Sequence, residues 1–170
     1  MIIDSHCHLT YEPMSNALNE TIDRANKDGI KYMLTISTED KSYEQILKIV
    51  NGYESVYGTY GIHPHEAKSH QHIKSDDIIN KVNKNKKIIG IGETGLDFYY
   101  NHSEKKDQIY SFEEHISAAQ KKNLPLIVHT RSAEKETLQI LEKHSKKKET
   151  KILIHCFTGS REFAFKLLDL

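Results

Sequence analysis

The chain has 170 residues, enough for one domain with a sizeable core, and its 37% hydrophobic and 28% charged residues are typical of a globular protein rather than a disordered one. No apolar stretch approaches the roughly 20 residues of a membrane-spanning helix, and the N-terminus lacks the pattern of a signal peptide, so we expect a cytoplasmic protein without a membrane partner. The formal net charge is zero, which excludes an overall basic field for nucleic-acid binding and requires local groups to hold any anionic substrate.

Short apolar runs alternate with amphipathic stretches along the whole chain. Each run is short enough for a buried strand, and the stretches between the runs carry apolar residues at helical spacing. The predicted strands are residues 1–3, 31–36, 56–60, 87–91, 124–128 and 151–154, and the predicted helices are residues 15–27, 42–51, 75–83, 103–123, 133–144 and 160–170. Strand alternating with helix is typical of parallel βα units, so the pattern predicts six such units in one domain over residues 1–170.

The first predicted strand runs into an H-x-H pair, His6 and His8. Residues two apart in an extended strand point to the same face, so the two imidazoles emerge side by side in a chelating arrangement. Imidazole suits divalent transition metals, and two nitrogens supply half of a tetrahedral site. One such pair is equally compatible with buried structural histidines or a surface pair, so the motif alone does not predict a metal site.

Residues of the metal-ligand type recur where later strands end. They are His63 and His65 after the third strand, Glu93 after the fourth, His129 after the fifth and His155 after the sixth. The second strand ends in Ser37-Thr38 and offers no strong candidate. In a parallel αβ barrel the carboxyl ends of the strands form one rim, where such enzymes place their catalytic groups. The sequence therefore predicts that these side chains converge on one site, against the alternative of unrelated histidines at separate strand ends.

Five motifs carry a resemblance to a known family, and they occur in the family's order. They are DSHCHL from Asp4, GIHPH from Gly61, GIGETGLDF from Gly90, PLIVHTR from Pro125 and IHCFTG from Ile154. With these motifs the chain resembles the TatD family of metal-dependent deoxyribonucleases from Met1 to its last residue. The resemblance implies an α/β fold of the (β/α)8 TIM-barrel type, related to the amidohydrolases. It also implies an enzyme that hydrolyses phosphodiester bonds in DNA, with single strands or 3' ends as the substrate.

The same resemblance implies a set of metal ligands. His6, His8 and Glu93 would hold one divalent ion, and Glu93, His129 and His155 a second, with Glu93 as the bridge and Mg²⁺, Mn²⁺ or Zn²⁺ as the metal. The bridge is chemically sensible, because a carboxylate can give one oxygen to each of two cations and a neutral imidazole cannot. Two such ions can activate a water molecule and stabilise the charge of a phosphate group.

Two further residues near these motifs have interpretations that the sequence leaves open. His63 precedes a proline that fixes the turn, and it fits a substrate contact or proton donor about as well as a packed loop residue. With Glu93 it forms the predicted catalytic pair. Asp97 follows the proposed bridge closely, so it fits either a group that orients a ligand or an aspartate in a surface turn.

Three more residues beside the predicted site fit nucleic-acid contacts as well as structural roles. Arg131 could bind a phosphate through two hydrogen bonds or form a structural ion pair. Tyr99 and Tyr100 could stack on a base or simply cover a loop.

The chain contains six βα units, whereas a closed barrel of this kind has eight. The resemblance also implies an aspartate ligand at the end of the eighth strand, which no residue after His155 matches. We therefore expect a domain that is incomplete at its C-terminus and whose catalysis is impaired by the missing carboxylate. Two alternatives are a barrel metallohydrolase of amides or lactones, which commonly has a carboxylated lysine as the bridge, and a non-catalytic metal-binding fragment.

Overall fold

The computed structural model describes residues 1–100, 102–146 and 148–170. Within these ranges all six predicted strands form one parallel sheet in sequential order, with β1 and β6 at its edges. The strands are β1 Ile2–Cys7, β2 Ile30–Thr35, β3 Val56–Tyr60, β4 Ile88–Asp97, β5 Leu126–Arg131 and β6 Ile152–Ile154. The helices that alternate with them are α1 Leu18–Lys27, α2 Tyr43–Gly52, α3 Ser75–Val82, α4 Lys105–Lys122, α5 Glu134–Ser145 and α6 Arg161–Leu168. The sheet curls into a half-barrel, which confirms the predicted fold class.

The helices cover the outer face of the curled sheet and form the core with it. Tyr43 and Ile46 of α2 and Phe112 and Ile116 of α4 are fully buried in the same cluster as Leu126 of β5. Each of these side chains contributes about 1.5–3 kcal/mol when it is fully buried. Helix α4 ends at Asn123, which adopts the left-handed conformation with φ +54° that asparagine tolerates.

Strand β4 is longer than the sequence predicted, since it continues beyond residue 91 to Asp97. Its last residues pair in parallel with β5, Gly95 opposite His129 and Asp97 opposite Arg131. The predictions that Glu93 and His129 follow their strands are therefore wrong, because Glu93 lies within β4 and His129 lies within β5. A side chain at Gly95 would clash with the His129 carbonyl oxygen at 2.0 Å, and its φ of +134° also suits glycine alone. The absence of a side chain at Gly95 thus permits the two strands to approach closely.

The inner face of the sheet keeps apolar side chains in contact with solvent at the end opposite the strand carboxyl termini. Adjacent residues of a strand alternate between faces, so Tyr32 and Leu34 lie on this side while Met33 and Thr35 are buried toward the helices. A cavity of about 260 Å³ lies here, lined by Ile3, Tyr32, Met33, Leu34, Tyr57 and Ile89. None of the described helices is both long and apolar enough to cross a membrane.

Candidate metal centre

Five imidazoles surround the Glu93 carboxylate, which is only 2% exposed. They divide between its two oxygens. Nitrogens of His6 (3.2 Å) and His8 (3.8 Å) lie nearest Oε2, and nitrogens of His155 (2.8 Å), His129 (3.1 Å) and His63 (3.4 Å) lie nearest Oε1. The structure thus brings every predicted ligand and the second predicted catalytic residue to one carboxylate. Each oxygen faces its own group of nitrogen donors.

The strands position these side chains directly. His6 belongs to β1 and His8 follows it, so both rings lie on one face with their centroids 5.1 Å apart. His155 follows β6 and stacks on His6, with 3.8 Å between the centroids. The backbone N–H of Glu93 donates to the carbonyl of Ser37 at 2.8 Å. The end of β2, which offered no ligand in the sequence, therefore fixes the central carboxylate through its backbone.

The His63-Pro64-His65 turn approaches the carboxylate from the end of β3. The His63 backbone N–H donates to the Thr38 carbonyl at 2.8 Å, and its Nδ1 accepts the His65 N–H at 3.2 Å. With Nδ1 acting as the acceptor, the neutral ring carries its proton on Nε2, the nitrogen that faces Glu93.

Asp97 is buried beneath the histidines, so the interpretation as a surface aspartate is wrong. Its Oδ2 lies 2.9 Å from His65 Nε2 and 3.1 Å from His129 Nε2, while its Oδ1 accepts the N–H groups of Tyr99 and Tyr100 at 3.0 Å each. His129 is therefore held between Glu93 at Nδ1 and Asp97 at Nε2. A carboxylate on the far nitrogen of an imidazole fixes the orientation of the ring.

Sequence reasoning missed two residues that support the site. His115 of α4 is buried behind the His63 turn, where its Nε2 accepts the Ile62 N–H at 3.1 Å and its Nδ1 donates to the Ser111 carbonyl at 2.7 Å. Its position beside Phe112 and Ile116 on the apolar face of α4 was the available signal. The Tyr11 ring stacks on His8 at 4.9 Å, for which the sequence gives no signal.

The ionisation of the site follows from burial and from the paired groups. Burial alone would raise the pKa of Glu93, but hydrogen bonds from His129 and His155 and the nearby nitrogens of His6 and His63 outweigh it and hold the pKa far below the ordinary value. Burial would likewise lower the pKa of His129, but its bonds to Glu93 and Asp97 raise it. The centre thus combines an ionised carboxylate with a histidine that binds protons readily.

Two other histidines of the centre, His8 and His63, have lowered rather than raised pKa values. Burial lowers the pKa of both His8 and His63, against the opposing charge of Glu93. Both rings are thereby biased toward the neutral form, in which one nitrogen keeps its lone pair.

The donor atoms of the centre fit a divalent cation. Both ring nitrogens of His6 and Nδ1 of His8 are buried without a hydrogen-bond partner. Leaving such a group unpaired costs about 1–3 kcal/mol, which a bound cation would offset. Ligand atoms of His6, His8 and Glu93 lie within 4.8 Å of one another, as do those of a second group, His63, Glu93 and His129. This second group contains His63, whereas the family resemblance implies that His155 is the third ligand beside Glu93 and His129.

The centre opens into a cleft of about 350 Å³ at the carboxyl ends of the strands. Tyr11, Thr38, Glu39 and Glu66 line the cleft together with the histidines and Glu93. The outer wall therefore carries two carboxylates and no cationic side chain among the described lining residues. An anionic substrate would need positive charge from within the cleft.

A family model described as TatD related DNase matches residues 3–170. The chain belongs to the TatD family. It is 36% identical over 178 residues to an uncharacterized metal-dependent hydrolase from Buchnera aphidicola, an alignment that covers 99% of this chain and 67% of that protein. It is 31% identical over 161 residues to the 3'-5' ssDNA/RNA exonuclease TatD of Salmonella typhimurium, covering 95% of this chain and 61% of the relative. Relatives of the chain in this family are described as metal-dependent hydrolases.

Solved structures of TatD-family proteins share the fold. A hydrolase of the family from Entamoeba histolytica superposes with a TM-score of 0.88 at 22% identity, over 99% of this chain and 62% of that one. The TatD homologue YjjV from Escherichia coli gives a TM-score of 0.84 at 24% identity, over 99% and 64%. The chain thus spans about two thirds of the length of the proteins that it matches. The predicted family and fold class are both confirmed.

Proposed function

We propose that this chain carries the metal centre of a phosphodiesterase that hydrolyses DNA, with single strands or 3' ends as its substrates. The observation that carries the proposal is the Glu93 carboxylate, each of whose oxygens faces a separate group of imidazole nitrogens. The similarity to a relative named as a 3'-5' exonuclease of single-stranded DNA and RNA supports the substrate class. A cytoplasmic location stays a prediction from the sequence.

In this proposal His6, His8 and Glu93 hold one divalent ion, and Glu93, His129 and His155 a second, the metal being Mg²⁺, Mn²⁺ or Zn²⁺. The unpaired nitrogens of His6 and His8 support the first group. When bound, the ions supply positive charge for the phosphate and lower the pKa of water. The neutral chain and the carboxylates that line the cleft provide no comparable charge.

His63 is better suited to proton donation than to ligation. Its Nδ1 already accepts the His65 N–H, so the proton resides on Nε2 at the edge of the cleft. An N–H at this position can donate to a phosphate oxygen or to the leaving oxygen of the broken ester. This assignment explains why His155, rather than His63, completes the second ligand group in the proposal.

The remaining residues hold this arrangement in place. Asp97 orients His129 from below and also contacts His65, which in turn fixes the tautomer of His63. Ser37 holds the backbone of Glu93. Because these supports come from β4, the segment after β2 and the turn after β3, the donor atoms are preorganised before any ligand binds.

The test is hydrolysis of a 5'-labelled single-stranded oligonucleotide by the 170-residue chain loaded with Mg²⁺, Mn²⁺ or Zn²⁺. We expect metal-dependent shortening of the strand that EDTA abolishes. Glu93→Gln should lower the rate by about 100-fold or more, since the bridging carboxylate positions the other groups. His72→Ala, at an exposed histidine outside the centre, is the matched control and should retain the rate.

Two outcomes would overturn the proposal. Turnover of amide or lactone substrates without phosphodiester hydrolysis would assign the chain to another class of barrel metallohydrolase. Retention of bound metal without turnover of any of these substrates would indicate a non-catalytic metal-binding chain.

A further inference from the structure

The turn after β4 presents two tyrosine rings and an arginine beside the metal centre. The Arg131 guanidinium carbon lies 4.3 Å from the ring centroid of Tyr99 and 4.9 Å from that of Tyr100. The two rings are 4.8 Å apart and nearly perpendicular. Both remain open to solvent, with exposed fractions of 59% and 41%. These three side chains, the Tyr99–Tyr100–Arg131 cluster, therefore offer free aromatic surface next to a cation.

A structural role does not account for this cluster. Within residues 1–100, 102–146 and 148–170, no carboxylate lies within the 4.0 Å that defines an ion pair with Arg131. The alternative interpretation of Arg131 as a structural ion pair is therefore wrong. Neither ring belongs to the hydrophobic core, and because the Tyr100 ring also stacks on His102 with 5.7 Å between the centroids, Tyr99 offers the freer aromatic surface.

The cluster is fixed relative to the metal centre through Asp97. This carboxylate accepts the backbone N–H groups of Tyr99 and Tyr100 with one oxygen and contacts His65 and His129 with the other. The Tyr100 ring also lies edge-on to His65, with 5.5 Å between the centroids. A ligand stacked on the tyrosines would therefore lie close to His129, because Asp97 contacts both the tyrosine backbone and the His129 ring.

We propose that the Tyr99–Tyr100–Arg131 cluster is a subsite for one unpaired nucleobase of a single-stranded nucleic acid. The base stacks on the free tyrosine surface, and Arg131 contacts the adjoining phosphate. Stacking on aromatic side chains is tolerant of base identity, because every base has a π face, and it contributes about 1–3 kcal/mol per base. The base must be unstacked to reach the rings, which disfavours a duplex. The inference rests on the proposed function for its substrate class and extends it by assigning the contacts to the base.

The decisive experiment separates the contribution of the bases from that of the phosphates. Binding of a labelled oligothymidylate and of an abasic strand of the same length is measured by fluorescence anisotropy in EDTA, where no hydrolysis occurs. Tyr99→Ala and Tyr100→Ala should each weaken binding of the oligothymidylate by about 5- to 150-fold and leave the abasic strand within about 2-fold. Tyr110→Ala, at an exposed tyrosine of α4, is the matched control and should change neither affinity.

Conservative variants keep the test independent of folding. Tyr99→Phe and Tyr100→Phe retain the ring and should bind the oligothymidylate as the wild type does. Arg131→Ala should weaken the binding of both strands. It should also reduce the slope of the logarithm of the binding constant against the logarithm of the salt concentration by about one, as expected for one lost phosphate contact.

Wild-type binding that does not distinguish the base-bearing strand from the abasic strand would overturn the subsite. Equal losses on both strands in the tyrosine variants would overturn it as well. The result is distinguishable from failure of the proposed function. Base-dependent binding that the alanine variants lose, in a chain without nuclease activity, would support the subsite and contradict the phosphodiesterase. Nuclease activity with unchanged binding in those variants would do the reverse.

Discussion

The fully buried His115 of α4 and the partly buried His6 and His8 of the metal centre have different environments. His115 uses both ring nitrogens, one accepting from the Ile62 N–H and one donating to the Ser111 carbonyl. His6, by contrast, has two buried nitrogens without a hydrogen-bond partner, and His8 has one. Burial of a histidine therefore does not mark a functional site in this chain. Rings with unpaired nitrogens that surround a shared carboxylate do.

The difference has an energetic consequence. A satisfied imidazole contributes to the stability of the fold, whereas unpaired nitrogens cost about 1–3 kcal/mol each until a ligand pairs with them. The region around Glu93 thus gives up stability that a cation can restore. A cost of this kind is typical of functional sites, where buried polar groups are left without hydrogen-bond partners so that they can bind a ligand.

The largest expected effect concerns His115 and pH. Burial lowers the pKa of His115 from 6.5 to about 4. The unfolded chain therefore takes up a proton below pH 6.5 that the folded chain refuses until about pH 4, and stability falls as the pH drops through this window. The full loss is about 3 kcal/mol.

Urea unfolding at pH 7 and pH 4.5, in EDTA, measures this effect. The uncharged amide of His115→Gln does not titrate, so the variant should lose less stability over this interval than the wild type. His72→Gln should behave as the wild type. Identical pH dependence in all three proteins would show that His115 is not buried as a neutral group.

A smaller effect is expected from the support beneath His129. Asp97→Asn keeps the size of the side chain but removes the charge that accepts from His129 and His65. Loss of an orienting partner typically weakens metal binding by about 10- to 100-fold, so the variant should bind Zn²⁺ more weakly by that factor in a competition titration. Affinity equal to that of the wild type would mean that Asp97 serves only the turn of Tyr99 and Tyr100.

The sequence predicted the parts of this molecule that local patterns determine. Alternating apolar runs and helical stretches identified all six βα units, and the rule that strand ends share one rim brought His6 and His155 together although 149 positions separate them in the chain. Helical spacing also located α4, whose end at Asn123 follows from the tolerance of asparagine for the left-handed conformation.

What the sequence missed depends on contacts between distant elements. The stretch from Gly92 to Gly95 reads as a turn by composition, yet Glu93 donates to Ser37 across the sheet and Gly95 pairs with His129, so the strand continues. The role of His115 likewise depends on Ile62, 53 positions away. Local periodicity contains no signal for such pairs, because the partner is defined only by the folded sheet.

The central claim is that Glu93 bridges two cations, and the metal content of three purified proteins tests it most directly. The wild type, Glu93→Gln and His155→Ala are equilibrated with Zn²⁺, dialysed and analysed by mass spectrometry, with His72→Ala as the control. We expect about two ions per chain in the wild type and the control, about one in His155→Ala and almost none in Glu93→Gln, since only the glutamate serves both ligand groups. Equal and unchanged metal content in Glu93→Gln and His155→Ala would contradict the bridge.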